Sequence, residues 1–338
     1  MKLLFISTLT KTLQDPYYSP VEQNVRHVAN EFAKREHDVW VVSLKGTQPE
    51  QFKVFEVEGQ EEKAYQTYKE SLKDFDCVLD ASTLKYTYLY KHDEKPDLKL
   101  IGLVYPYQGI SYSVSPPIPS PCMIATSDSM AQAMSAKIGC MFKVVYYFPS
   151  PIPNGFEAPK ERNGRLLYLG RFEKAKGVQI AVDLARQLGV GIDVAGEDLA
   201  VSDQRFTVLL LQKADGRLIR VFGRVNEALK HELLAKAKAL VLPYLEDSVA
   251  WTGQVALEAL QHGTPVVGLN KGCLKEIVKD GENGYVCNRL ESLTEAVNNI
   301  GKIDSSKCVE TAREFSIQKA VDNYEGLLKK ILDEGYEW

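Results

Sequence analysis

The sequence lacks the short motifs that identify many nucleotide-binding proteins and hydrolases. It contains no G-x-G-x-x-G after a predicted strand, no G-x-x-x-x-G-K-[ST], no H-E-x-x-H and no G-x-S-x-G. A nicotinamide or flavin site of the Rossmann type, a P-loop, a zinc-protease site and a nucleophile elbow are therefore not supported.

Histidine and cysteine are too scattered to suggest a metal centre. None of the five histidines is spaced as a metal-binding pair, and we expect His27 and His231 to lie on helices and to face solvent. The six cysteines form no C-x-x-C pair, so neither a zinc site nor a redox motif is indicated. We predict no metal site, and reduced, buried thiols in a cytoplasmic protein.

An excess of basic charge and a long apolar run are also missing. The formal net charge is −4 and the sequence pI is about 5.9, so we expect no nucleic-acid partner. No run approaches the roughly 20 apolar residues of a membrane span, and MKLLFISTL is interpreted as a buried strand rather than a signal peptide. A cytoplasmic location is predicted, with peripheral contact at the inner face of the membrane as the alternative.

What the sequence does contain is a repeated alternation of short apolar runs and helical periodicity. This pattern predicts parallel sheets flanked by helices, and 338 residues suit two domains of roughly 150 residues each. The proline-rich stretch Pro149–Pro159 separates the two halves and is the best hinge candidate. We predict domains over residues 1–150 and 151–317.

The predicted elements of the first half are one helix and six strands. The helix covers Val21–Lys34, and the strands cover Leu3–Ser7, Asp38–Ser43, Asp76–Leu79, Leu98–Val104, Cys122–Thr126 and Lys143–Tyr147. Tyr105–Pro121 contains five prolines and three tyrosines, too many breakers for a regular element. It is interpreted as a surface loop, or alternatively as a loop whose tyrosines stack on an acceptor.

The second half repeats the alternation of predicted strands and helices. Strands are predicted at Leu166–Leu169, Gly191–Ala195, Leu218–Phe222, Ala239–Pro243 and Val266–Leu269, and helices at Val178–Leu188, Glu227–Ala237, Gly253–Gln261 and Gln318–Leu332.

Two strand-to-helix turns of this half carry residues suited to a nucleotide. Gly170-Arg171 follows a strand, and Lys176-Gly177 opens the next helix. Helix amides together with two cations suit a diphosphate. The alternative is an exposed turn whose cations are only solvated.

The second turn ends at Gly253, where a ligand could approach the backbone and the amides of Gln254 and Val255 would point at an anion. Glu258 lies one turn further along, among apolar neighbours, and a buried carboxylate needs a partner. A ribose diol is one candidate partner, and a salt bridge in the core is the other.

Four segments occur together in one order and carry a family resemblance. They are GRFEKAKG (170–177), VFGRV (221–225), the Gly253–Glu258 run with HGTPVV (262–267), and CLKEIVKDGENGYV (273–286). With them the chain resembles the retaining glycosyltransferases of glycosyltransferase family 4, the glycosyl transferases group 1. In the first half, the segment from Val21 to Ser43 and ATSDSMAQ (125–132) are more loosely similar to that family.

The resemblance implies an α/β fold of the GT-B type, in which two Rossmann-like domains with parallel sheets face a central cleft. Residues 1–150 would be the acceptor-side domain, onto which a helix in 318–338 packs back, and 151–317 would bind the nucleotide sugar. It implies sugar transfer from a nucleoside diphosphate sugar with retention at the anomeric carbon, without a metal or a tightly bound cofactor. UDP-sugars are weakly favoured over GDP-sugars, and the acceptor is a glycan, a lipid or a small molecule.

The resemblance also implies roles for individual residues. Arg171 and Lys176 would be catalytic and neutralise the leaving diphosphate, Glu258 would bind the ribose, and Arg224 and Val225 would border the base. The remaining donor-binding residues would be Gly170, Thr252, Gly253, Gln254 and Val255.

Three departures from the family pattern bear on activity. Ala250 occupies the position of a glutamate that contacts the donor sugar, and Glu246 or Asp247 is a candidate substitute. Ser19-Pro20 replaces a Gly-Gly pair before the first helix, and Tyr105 stands near the place of a histidine. These losses motivate an alternative function, a catalytically weak or silent sugar-nucleotide-binding partner of an active glycosyltransferase. A GT-B enzyme of other chemistry, such as an epimerase or a phosphorylase, is a third hypothesis.

Overall fold

The computed structural model describes residues 1–15, 20–105, 122–159, 161–196, 204–250 and 252–338. These residues form two compact units. The first comprises Met1–Tyr146 together with Ile317–Trp338, and the second comprises Tyr147–Ser316. The predicted α/β class is confirmed, because each unit contains a parallel sheet with helices between its strands.

The first unit is built on seven parallel strands in the order β3-β2-β1-β4-β5-β6-β7. The strands are β1 (Lys2–Ile6), β2 (Asp38–Leu44), β3 (Lys53–Val57), β4 (Cys77–Asp80), β5 (Leu100–Leu103), β6 (Met123–Ala125) and β7 (Phe142–Val144). The helices between them are α1 (Pro20–Lys34), α2 (Glu61–Tyr68), α3 (Tyr86–Asp93) and α4 (Asp128–Ile138), and a 3₁₀ turn covers Lys69–Asp74.

The second unit has six parallel strands. They are β8 (Leu166–Leu169), β9 (Ile192–Ala195), β10 (Ile219–Gly223), β11 (Ala239–Leu242), β12 (Val266–Leu269) and β13 (Gly284–Cys287). The helices are α5 (Val178–Leu188), α6 (Gln204–Leu211), α7 (Glu227–Lys236), α8 (Gln254–Gln261), α9 (Leu274–Ile277), α10 (Ser292–Asn299) and α11 (Ser305–Glu314). Three 3₁₀ turns cover Lys174–Lys176, Asp247–Ala250 and Ile300–Lys302. The strand order β10-β9-β8-β11-β12-β13 is that of a doubly wound nucleotide-binding sheet.

Both faces of this second sheet are buried, as a parallel sheet requires. Successive residues of β8 point to opposite faces, so Leu166 and Tyr168 join one core cluster while Leu167 and Leu169 join the other. Helix α5 covers the first face, and α7 and α8 cover the second. The continuous apolar run LLYL follows from this double burial.

The last helix, α12 (Ile317–Asp333), belongs to the first unit. Its Tyr324 ring packs 6.4 Å from the ring of Phe32 on α1. Arg35 donates to the carboxylate of Asp322 at 2.7 Å. Further along, the indole of Trp338 donates to the carbonyl of Met123 at 3.1 Å. The first unit is therefore assembled from two separated parts of the chain.

Two edge strands, β3 and β13, were not predicted. Lys53–Val57 lies beside β2 only, and Gly284–Cys287 pairs in the sheet with β12 only. An edge strand is covered less completely than a central one, and the sequence KVFEV contains too few apolar residues to stand out. Sequence patterns detect the doubly covered central strands much more readily.

Gly177 marks one of the closest backbone approaches in the second unit. Its φ is +73°, and an added Cβ would lie 2.0 Å from the carbonyl oxygen of Pro243. Gly189, at the other end of α5, has a φ of +64° and open space around the position of a Cβ. The two glycines therefore share a left-handed backbone but differ in packing.

We predict that Gly177→Ala lowers the melting temperature considerably more than Gly189→Ala. The left-handed conformation costs an alanine about 1–2 kcal/mol at either position, and the contact with Pro243 adds about 1–3 kcal/mol of overpacking at position 177 only. Differential scanning calorimetry of the two variants measures the difference, and equal losses would contradict the contact.

Candidate functional site

The candidate site lies where the loops after β8 and β11 meet. These two strands are neighbours in the second sheet, and the chain proceeds from β8 to one side and from β11 to the other. Ligands of doubly wound sheets bind outside the carboxyl ends of the strands at such a switch point. Residues 170–177 and 243–253 occupy this position.

The two loops are held together by backbone and side-chain contacts. The amide of Leu245 donates to the carbonyl of Ala175 at 2.8 Å. Lys176 is 6% exposed, and its ammonium lies 4.9 Å from the centre of the Tyr244 ring. A lysine over an aromatic face is attracted by the electrons of the ring, so Tyr244 helps to fix the cation at the junction of the loops.

Arg171 and Gly170 lie at the start of the first loop. The amide of Gly170 donates to the carbonyl of Ala195 at 3.0 Å, and the hydroxyl of Tyr168 donates to the carbonyl of Arg171 at 2.8 Å. The half-buried guanidinium of Arg171 forms an ion pair with Glu173. Arg171 thus shares a loop with Lys176, and a carboxylate of the same loop is one of its partners.

Helices α5 and α8 both begin with a glycine in the left-handed conformation, Gly177 and Gly253. Neither helix has an acidic residue in its first turn, so the positive end of each backbone dipole is not offset there. A Cβ at Gly253 would lie 2.1 Å from Cδ1 of Ile277 and 2.9 Å from Sγ of Cys273. Only glycine fits this position, and the α8 amides at Gln254 and Val255 follow it directly.

The Cys273 thiol lies beside Gly253 at the start of α8, and two opposing influences act on its pKa. Burial raises this pKa strongly, and the charge of Lys176 acts on it in the opposite direction. Thr252, just before that glycine, is half-buried.

Glu258 is completely buried on α8. Its Oε1 accepts from the ammonium of Lys230 at 2.9 Å and from the side-chain amide of Gln254 at 3.2 Å. Its Oε2 is buried and has no hydrogen-bond partner among the residues that the structure describes. Of the two interpretations left open by the sequence, the salt bridge is present, and it engages one carboxylate oxygen only.

Lys230 is the main site residue that the sequence analysis missed. It lies in α7, buried, with Nζ 2.8 Å from Oε2 of Glu227 and 3.5 Å from Oγ of Ser150. Burial lowers the pKa of Lys230, but the carboxylates of Glu258 and Glu227 outweigh that effect, so the pKa lies above its usual value. The signal was available, because Lys230 shares a helical face with the apolar residues three and four positions further on.

The prediction that His231 faces solvent is wrong. His231 is fully buried, and its Nδ1 lies 2.8 Å from Nε2 of His262. Phe156 packs against both imidazole rings. The pattern that places Lys230 inside also applies here, since Leu234 and Ala235 follow His231 by three and four positions and are buried. His27 is half-buried on α1.

Arg224 and Val225 follow a different strand of the same sheet, and Val225 belongs to the same buried apolar cluster as Tyr244 and Ala250 of the second loop. They follow β10, which is two strands away from β8 in the sheet. Arg224 is exposed and Val225 is buried. The structure places them at the same carboxyl edge of the sheet but does not bring them into contact with Lys176 through any described interaction.

Ala250, the position at which a glutamate was expected, is buried in the loop after β11. Its carbonyl accepts from the amide and the thiol of Cys273 at 3.0 and 2.8 Å. Three residues earlier, Oδ1 of the exposed Asp247 accepts from the amide of Gly272 at 2.8 Å. Asp247 is therefore the acidic residue of this loop whose carboxylate is held in a defined place.

The first unit differs at the corresponding edge. Helix α1 starts at Pro20, and the buried carboxylate of Glu22 in its first turn accepts from the hydroxyl of Thr10 at 2.6 Å. The phenol of Tyr105 donates to Oδ1 of Asn24 at 2.8 Å. Ser19 and residues 106–121, where a loop was predicted, lie outside the described residues.

The described residues bear on two further features, a metal site and a membrane-spanning helix. They contain no group of three or more histidine, cysteine, aspartate or glutamate side chains that could hold a metal ion. None of the helices they form is both long enough and apolar enough to cross a membrane.

Residues 155–316 match the family model of the glycosyl transferases group 1. This stretch is similar to the glycosyl transferases group 1 and is called the group 1 domain for that likeness. It contains both joined loops, α7 and α8, so the predicted family resemblance is confirmed where the candidate site lies. Over 143 residues the chain is 35% identical to the glycogen synthase of Mycobacterium tuberculosis, a match that covers 39% of this chain and 32% of that protein. The chain thus spans about a third of this curated relative.

Solved structures match over nearly the whole chain. The glycosyltransferase AviGT4 of avilamycin A biosynthesis aligns with a TM-score of 0.72 at 18% identity, covering 98% of both chains. Anabaena HepE in complex with UDP-glucose aligns with a TM-score of 0.70 at 16% identity, covering 98% of this chain and 100% of that one. The predicted GT-B fold is confirmed by these matches.

We predict a pH effect on stability from the histidine pair of the group 1 domain. Burial first, and then the charges of His231, Lys230 and Arg162, lower the pKa of His262 to about 4. The unfolded chain binds this proton below about pH 6.5, whereas the folded chain does not until about pH 4. The contribution to the free energy of unfolding is therefore complete above pH 6.5 and declines as the pH falls.

The melting temperature of the wild type and of His262→Gln between pH 7.5 and 5 measures this effect. The wild type should lose stability more steeply on acidification, because only it carries the depressed group. Burial raises the pKa of Glu227, but its neighbours His231 and Lys230 lower it to about 2, so this group acts below this pH range. Parallel curves for the two proteins would contradict the assignment.

Proposed function

We propose that this chain is a retaining glycosyltransferase that transfers a sugar from a nucleoside diphosphate sugar to an acceptor. The observation that carries the proposal is the junction of the loop that holds Lys176 with the loop that leads into α8, at the switch point of the group 1 domain. A buried cation and outward-directed helix amides at one place suit a diphosphate.

The leaving diphosphate would be neutralised by Arg171 and Lys176. Charge develops on its oxygens as the bond to the sugar breaks, and fixed positive groups stabilise that charge most in the transition state. The amides of Gly253, Gln254 and Val255 would add hydrogen bonds to the same group. Gly170 and Thr252 flank these positions and would let the donor approach the backbone closely.

The nucleoside would be recognised further along the edge of the sheet. Glu258 would accept from a ribose hydroxyl through Oε2, the oxygen that Lys230 and Gln254 do not engage. Arg224 and Val225, two strands away from β8, would border the base. Asp247 is the proposed substitute for the glutamate replaced by Ala250, since the Gly272 amide holds its exposed carboxylate.

The first unit is the proposed acceptor-side domain. Glu22 places a carboxylate in the first turn of α1, which disfavours an anion there, so the donor phosphates would be bound by the group 1 domain. The solved structure of HepE holds UDP-glucose, and we favour UDP-sugars over GDP-sugars on that likeness. The proposal includes no metal and no tightly bound cofactor, and a cytoplasmic protein that contacts the inner face of the membrane peripherally.

A thermal-shift panel of UDP-, GDP- and ADP-sugars tests the donor site. A ligand that binds only the folded state stabilises it by about 2.7 kcal/mol at a concentration of 100 Kd. We expect one nucleotide series to raise the melting temperature in proportion to the logarithm of its concentration, UDP-sugars first. No shift with any of the three series would refute a donor site in the group 1 domain.

The second candidate function is a catalytically silent sugar-nucleotide-binding partner, and Ala250 is the observation that favours it. A silent protein would bind the donor and turn over none of it. Donor hydrolysis or sugar transfer by the purified chain alone decides between the two functions.

We predict that Lys176→Ala reduces kcat for transfer or donor hydrolysis about 10²–10³-fold with a smaller change in KM, as expected for a group that stabilises developing charge. Lys174→Ala, in the same 3₁₀ turn, is the matched control and should retain activity. Unchanged turnover in Lys176→Ala would refute the assigned role.

A further inference from the structure

Lys230 lies between two carboxylates but contacts only one oxygen of Glu258. The ammonium is 2.9 Å from Oε1 of Glu258 and 2.8 Å from Oε2 of Glu227. Glu258 is completely buried, whereas the Glu227 side chain is 41% exposed. The lysine therefore bridges the carboxylate of Glu227, which water can reach, and the carboxylate of Glu258, which water cannot reach.

Charge compensation explains why a lysine is present here. An ionised carboxylate in an apolar core is very costly without a counter-charge. Gln254 also donates to Oε1, at 3.2 Å, but its amide carries no charge. Lys230 is the described residue that places a positive charge beside Glu258, and the two neighbouring carboxylates raise its pKa against the effect of burial.

The same contacts also fix the orientation of the carboxylate. Oε1 accepts from two donors, and these prevent the group from rotating about its terminal bond. Oε2 is left buried, with no hydrogen-bond partner among the described residues. A buried acceptor without a donor is unfavourable by about 1–3 kcal/mol, so a hydroxyl group that reaches it gains more than it would at a solvated carboxylate.

We infer that Lys230 is a positioning residue that makes the protein selective for nucleotides with an intact ribose. It engages Oε1 with a charged donor and fixes the carboxylate, so that Oε2 accepts from one hydroxyl of the ribose. This inference rests on the proposed function, because it assumes that the ligand is a nucleoside diphosphate. It adds that Lys230, by positioning Glu258, is what makes the protein distinguish ribose from deoxyribose. Glu258 alone does not make this distinction.

The experiment compares the Kd of UDP, or of whichever of UDP, GDP and ADP binds most tightly, with the Kd of its 2′-deoxy and 3′-deoxy forms. A hydrogen bond to a charged group corresponds to about tenfold or more in affinity. We expect at least one deoxy form to bind the wild type about tenfold more weakly or worse. In Lys230→Met both ratios should fall to about threefold or less, and Lys230→Arg should restore the larger ratio.

Lys236→Met is the matched control. It removes a lysine of the same helix that pairs with Glu232 at the surface, and it should keep the wild-type ratios. The ratio does not depend on the folded fraction, because unfolded chains weaken the apparent affinity for all forms equally. If Lys230→Met does not fold, Lys230→Gln supplies the measurement, since its amide can donate to Oε1 without a charge.

The possible outcomes distinguish a failure of the role inferred for Lys230 from a failure of the proposed function on which it rests. A folded, neutral variant at position 230 that retains the tenfold ratio overturns the role of Lys230 and leaves nucleotide binding intact. A wild type that binds the nucleotide but does not distinguish the deoxy forms overturns the inference in the same way. A wild type that binds none of the three nucleotides overturns the proposed function and the inference together.

Discussion

The contact between Gly177 and the carbonyl of Pro243 is the constraint on which the candidate site depends. It brings the loop after β8 against the loop after β11, and Lys176 reaches Tyr244 because the backbones are this close. A side chain at position 177 would separate the loops and move the cation away from the start of α8. Position 177 therefore determines the geometry of the site although it contributes no functional group.

Three of the helices that follow strands at the carboxyl edges of the two sheets differ in the charge of their first turns. Helices α5 and α8 start with a glycine and have no acidic residue in the first turn. Helix α1 has Glu22 there, bonded to threonine hydroxyls. Since a helix N-terminus attracts anions unless a carboxylate already occupies it, the two units are not electrostatically equivalent. This asymmetry, together with the fold, supports placing the phosphates of the donor in the second unit.

The sequence was sufficient for those parts of the fold that depend on local pattern. The strands Leu166–Leu169 and Val266–Leu269 and the helix Val178–Leu188 have the predicted bounds, because apolar runs and glycine stops specify them. Two of the four edge strands, β3 and β13, were missed, whereas the edge strands β7 and β10 were predicted. Lys230 and His231 were not recognised as buried, although the apolar residues three and four positions after each of them indicated it. Their partners could not be read from a local pattern, because Glu258 and His262 lie 28 and 31 residues away in the sequence. Which oxygen of Glu258 remains available could not be predicted from any local pattern.

The divided first unit has a consequence for the order in which the protein is made. Strands β1 to β7 leave the ribosome first, yet α12 and the tryptophan that bonds to Met123 are translated after the whole second unit. The second unit, which is continuous from Tyr147 to Ser316, has all its residues available earlier. Domains usually fold as units in the order of synthesis. In this chain the first unit is completed only after the second unit has been translated, so the nascent first sheet waits that long for the helix that packs on α1.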